Sequence, residues 1–145
     1  MKALLIFLNL IAGSILIRFT ISKFAAWPVS VAGFVDMAKP IGVDPTFFRI
    51  ATGFIIGFAA LSFFINCLII LLRKEDYSKY LLLFTFNNLY STGAMLGALL
   101  SEFFLRSSVK WLLVYIAIGI VFITMLNLVT SYRKVTQALR NKNKM

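Results

Sequence analysis

The sequence has no histidine, one cysteine, and five acidic residues against fifteen lysines and arginines in 145 positions. Each scarcity removes a class of chemistry. Without histidine there is no His-ligated haem and no His-based zinc or di-iron site. The lone Cys67 allows neither an internal disulfide nor a CxxC redox pair. Few residue types remain for acid–base work. The three prolines, Pro28, Pro40 and Pro45, all fall in one short stretch, so they interrupt the chain once. Charged residues make up 14% of the chain, where soluble domains average about 25%.

What fills the chain is apolar. Hydrophobic residues reach 61% and the mean hydropathy is +0.92. A soluble domain of this size lacks the interior to hide that much apolar surface, so the expected solvent is lipid. The net charge of +10 sits at the ends of the apolar runs. That is how a membrane protein orients itself and meets anionic lipid. The expected partners are therefore the bilayer and other membrane-protein subunits, with no nucleic acid. No cofactor is evident from residue types; a quinone or a lipid is the candidate. The expected fold is all-α: a four-helix transmembrane bundle with a partly embedded first loop, in a single integral membrane domain.

Four spans are predicted, at residues 3–27, 45–72, 80–105 and 110–132, followed by a basic tail at 133–145. The first run is longer than the apolar core of a signal peptide, and no A-x-A site closes it, so an uncleaved span is expected. Arg18 lies about 22 Å along it, where its stem can snorkel to the interface. Residues 29–37 are apolar apart from Ser30 and Asp36 but too few to span, which makes them a short interfacial or dipping helix. Asp44-Pro45 reads as an N-cap followed by proline at the first helical position.

Small residues mark packing faces. Gly53 and Gly57 form a G-x-x-x-G in the second span, a spacing that lets another helix approach. In the third span Asn88, Ser91, Thr92, Met95, Leu99 and Glu102 share one helical face, while Gly93 and Gly97 lie opposite. That helix is expected to be interior, touching neighbours on both sides, with Asn88 among its packing groups. The charged loop Arg73-Lys74-Glu75-Asp76 joins the second and third spans. Cys67 is read as a small apolar residue.

Four spans place both termini on one side. That side collects Lys2, Arg73, Lys74, Lys79, Arg133, Lys134, Arg140, Lys142 and Lys144; the other has Arg18, Lys23, Lys39, Arg49, Arg106 and Lys110. The positive-inside rule then puts the termini in the cytoplasm, with the chain integral to the plasma (bacterial inner) membrane.

No catalytic residue stands out. Glu102 is the one acid inside a predicted span, and a lone carboxylate there should find a cation. It is expected to pair with Arg18 or Lys23, near the outer leaflet. The structural version is an ion pair locking the first helix to the third. The sharper version is a polar pocket of Arg18, Lys23 and Glu102 that binds an anionic headgroup, a quinone or a small solute. Asn87, Asn88, Ser91 and Thr92 are a second candidate, as helix–helix hydrogen bonds or, less favoured, as the lining of a solute path.

The layout resembles the DoxX-like superfamily of small four-helix integral membrane proteins. The matching residues are Arg18 through Lys23-Phe24, then Gly42, Arg49 and Gly53, covering roughly the first half of the chain. Many members carry an acid soon after that last glycine. Here the positions are Phe54, Ile55 and Ile56, and only Glu102 of the third span is offered as a substitute. The resemblance implies a small subunit of a quinone-linked oxidoreductase complex, a partner of redox enzymes, or a membrane assembly chaperone. The first functional expectation is thus a non-catalytic accessory or assembly subunit of a larger membrane complex. The alternatives are a quinone- or lipid-binding subunit of a membrane oxidoreductase and a small-solute transporter.

Overall fold

A computed structural model describes residues 2–72 and 77–142, with side chains described for 2–72 and 80–133. The charged loop 73–76 and the side chains of the basic tail from 134 onward lie outside the described residues. The chain is all-α among these residues. Its elements are α1 (Lys2–Phe24), α2 (Pro28–Ala38), a 3₁₀ turn (Lys39–Ile41), α3 (Pro45–Leu72), α4 (Tyr77–Phe104) and α5 (Trp111–Lys142).

Among the described residues, three segments are long and apolar enough to cross a membrane: Lys2–Phe24, Pro45–Leu72 and Trp111–Arg133. With 23 to 28 residues each, they measure about 34–42 Å at 1.5 Å per residue, against a hydrocarbon core of about 30 Å. The sequence predicts four such segments. The helix that falls outside is α4, which has 28 residues but dilutes its apolar positions with Asn87, Asn88, Ser91 and Thr92. All four of those polar residues are buried.

Local chemistry sets the breaks. Asp44 caps α3 as its spacing predicts, its Oδ1 accepting from the Phe47 N–H at 2.7 Å, and Pro45 follows at the first helical position, where no N–H is needed. Just past α1 stands a left-handed residue, Ala26 (φ 51°). That reversal lets the Trp27 N–H reach the Ser22 carbonyl at 3.0 Å, a C-terminal arrangement usually built with glycine. Gly42, with φ 65°, supplies the same conformation without a Cβ penalty after the 3₁₀ turn.

The four long helices pack in a ring: α1 on α3, α3 on α4, α4 on α5, and α5 back on α1 across the thinnest seam. α2 lies across one end, chiefly against α3. The α1–α3 contact is close because small residues face bulky ones. A side-chain carbon at Gly57 would lie 3.1 Å from Thr20, one at Gly53 3.2 Å from Phe24, and one at Gly13 2.9 Å from Phe64.

The interior is banded along the ring axis. Nearest α2 is a charged layer. Next comes an apolar layer centred on Leu16, Ile56, Ala59, Phe63, Met95 and Ile120. A layer of amides follows, and a second apolar layer of Leu5, Ile69, Ile70 and Phe84 closes the far end.

The expectation that α4 packs on both faces is corrected. Its polar face is buried, but Gly93 and Gly97 are exposed, and a carbon added at either meets nothing within 4 Å. Among the described residues α4 packs chiefly on α3 and α5, and its glycine face points outward.

Candidate functional site

The amide layer is built by one asparagine from each of α1, α3 and α5 and two consecutive ones from α4. Asn9 and Asn127 donate to each other, at 3.1 and 3.0 Å. Asn66 donates to Asn9 at 3.4 Å and accepts from Asn87 at 3.1 Å. Asn127 also donates to Asn88 at 2.8 Å. The remaining N–H groups of Asn9 and Asn88 turn back to the Leu5 and Phe84 carbonyls, both at 2.7 Å. Thr92 and Thr124 add a hydroxyl pair at 2.8 Å. A primary amide has two donors and one carbonyl, and this network directs them to one another and to the backbone carbonyls of Leu5, Ser62 and Phe84. It is polar glue between helices. The one loose end nearby is the Ser91 hydroxyl, buried without a partner.

The second polar region lies under α2, at the end of the bundle where α1 stops, α3 starts and α4 stops. Lys23, Arg49 and Glu102 are each 7–8% exposed. Glu102 pairs with Arg106, one turn along, and its other oxygen accepts from the Lys110 backbone N–H at 3.3 Å. The predicted partner is thereby corrected: Arg106 takes the ion pair, and neither Arg18 nor Lys23 does. Lys23 stays within electrostatic reach of Glu102. Arg18 is exposed on another face of α1. Five residues of helix separate it from Lys23 by about 140° of rotation, so the two cannot line one pocket.

Lys23 sits in an aromatic slot. Its ammonium lies 5.6 Å from the centre of the Phe19 ring and 5.7 Å from that of Phe34, favourable positions for a cation, and it donates to the Phe19 carbonyl at 3.4 Å. Phe34 in turn meets Phe48 edge-on at 5.2 Å. Arg49 follows Phe48 in α3, and its Nη1 is buried with no partner.

α2 is held down over this region from outside. Asp36 accepts from the Ser107 hydroxyl at 2.8 Å and from its backbone N–H at 3.0 Å. These bonds favour the charged carboxylate and hold Asp36 below the ordinary aspartate range, with Lys39 and Arg106 adding a smaller pull. Gly33 lies so close to the Arg106 guanidinium that any side chain there would collide with Nη2. Beside this contact runs a groove of about 420 Å³ lined by Pro28, Ala32, Gly33, Asp36, Arg106 and Lys110, among others.

Of the predicted site residues, then, Lys23 and Glu102 come together and Arg18 does not. Arg49, Arg106 and Asp36 belong to the region and were absent from the predicted pocket. Arg106 had a signal in the sequence, the i,i+4 spacing from Glu102. Arg49 had one too, lying a single turn before Gly53 on the face that meets α1. The sequence places Asp36 at this level through the first loop, but its bond to Ser107 had no signal, because that partner is 71 positions away. Among the described residues no group of three or more His, Cys, Asp or Glu could hold a metal. The chain matches no protein-family model, no curated protein and no solved structure.

Proposed function

We propose that this chain is a four-span integral membrane protein of the plasma (bacterial inner) membrane, with both termini cytoplasmic, working as a non-catalytic accessory or assembly subunit of a larger membrane complex. The observation that carries this reading is the amide layer. Five asparagines from all four long helices bond one another and nearby backbone carbonyls, which makes the interior a scaffold with little left to act on a substrate. The three apolar segments support membrane insertion, and burial of the polar face of α4 supports its crossing as a fourth. The charge balance supports the orientation. The resemblance to DoxX-like proteins supports the subunit role.

Purification in a mild detergent tests this. A stoichiometric membrane-protein partner is expected, and a protein that is always recovered alone counts against the reading. Tags at both ends should stay inaccessible in intact cells; one reachable from outside reverses the orientation.

A second reading, a quinone- or lipid-binding subunit of a membrane oxidoreductase, is favoured by the charged layer under α2. Transport is disfavoured by the apolar layer of Leu16, Ile56, Phe63 and Met95 between the charged and amide layers. A solute following polar groups would have to cross it dry.

A further inference from the structure

The charged layer does not balance. Among the described residues, three buried or nearly buried cations, Lys23, Arg49 and Arg106, lie at the end of the bundle that holds one buried acid, Glu102. Arg106 and the Lys110 N–H occupy that acid's two oxygens. Asp36 is turned to Ser107 at the edge of the region. Arg49 is thus left without a described ion pair or hydrogen bond, and its Nη1 is enclosed. It has five N–H donors and cannot shed its charge by titrating. Lys23, three donors to its name, uses one in a long bond to a carbonyl. An isolated cation away from water is among the most expensive arrangements a protein can hold.

The two cations stand on helices in close contact, α1 and α3. Gly53, one turn below Arg49 on α3, lies so close to α1 that a carbon on it would be 3.3 Å from the Lys23 Cβ. Phe19, Phe34 and Phe48 wall the region with apolar surface. Arg49 also stands in the first turns of α3, where the helix dipole adds positive potential.

We propose that Arg49, with Lys23 behind it, holds a phosphate-class anion under α2, supplied by a lipid headgroup or as free phosphate. A guanidinium fork matches phosphate oxygens, and a neighbouring ammonium adds a point charge. One such anion compensates the surplus that the protein's own acids leave. This deepens the second of the two readings above and does not depend on the first.

The test uses the full chain, stripped of lipid in mild detergent, with thermal unfolding followed by the fluorescence of Trp27 and Trp111. The probes are phosphatidylglycerol, phosphatidylcholine and inorganic phosphate. Phosphatidylglycerol is expected to raise the midpoint well above phosphatidylcholine. If inorganic phosphate alone reproduces the rise, the free anion is the ligand; if it does not, the headgroup is. No rise with either anion, or an equal rise with phosphatidylcholine, overturns the site.

Arg49→Gln should lower the apparent affinity about tenfold or more, the size of one lost hydrogen bond between charged groups. Lys23→Gln should lower it less. Without ligand, Arg49→Gln should be at least as stable as the parent, because a surplus buried charge is gone. A variant that is less stable yet keeps the full anion response would make Arg49 structural and sink the proposal. Should Arg49→Gln fail to fold, Arg49→Lys replaces it: weakened binding is expected, and unchanged binding overturns the site. A response to anion with no quinone or redox partner in the purified material keeps the site and discards the oxidoreductase reading; the converse discards the site.

Discussion

Glu102 and Arg106 sit four residues apart at the end of α4, their side chains 9% and 6% exposed. Breaking a buried pair from one side leaves the other charge without compensation, at a cost of about 3–5 kcal/mol. Glu102→Gln is therefore expected to destabilise by roughly that amount in detergent unfolding. Replacing both residues with leucine should recover most of the loss, since the stranded Arg106 charge goes as well. An equal loss in the double variant would place the effect elsewhere. Asp36 carries a pH dependence outside the spans. Its carboxyl is held below the ordinary value of 3.8 by Ser107. A lowered carboxylate contributes stability that is complete above the unfolded value and disappears as pH falls through the folded one. The tie between α2 and the segment after α4 should thus hold at neutral pH and loosen only below about 4. Amide exchange at Ser107 should report this, and Ser107→Ala, which deletes the hydroxyl bond and keeps the backbone one, should weaken the acid dependence.

α1 and α3 approach through glycines, whereas α4 carries its glycines on the outside. Gly57 has Thr20 3.1 Å from where its Cβ would be, so Gly57→Leu must push the two helices apart. It is expected to lower the unfolding midpoint in detergent by the several degrees that correspond to about 2 kcal/mol of overpacking in a chain this size. Gly93→Leu and Gly97→Leu meet open space and should leave the midpoint where it is. Loss of stability in the second pair would mean that the face is covered within the chain. The helical wheel had both faces of α4 right but assigned both to neighbours. Which way a small-residue face points depends on where the adjacent helices stand, and spacing along one helix does not encode that.

The ring as a whole is closed where α5 meets α1. That seam is the thinnest of the ring and holds the reciprocal Asn9–Asn127 bonds. Asn127→Leu removes the group that bonds both Asn9 and Asn88, so it should cost about 1–2 kcal/mol, the scale of buried helix–helix hydrogen bonds in membranes. Denaturant unfolding in micelles measures it, and a change at Asn87, outside the seam, should cost less.

The sequence by itself determined the helical class, the apolar segments, the break at the prolines and the Asp44 cap, because each follows from runs and spacings a few residues long. It placed Lys23 and Glu102 at the same end of the molecule for the same reason. Only the tertiary structure decided that Glu102 keeps its ion pair local, that Arg18 faces away, that five scattered asparagines meet in one layer, and that Arg49 is left over. Charge compensation and amide pairing are settled between residues tens of positions apart, and the packing of the helices alone determines which of them come within reach.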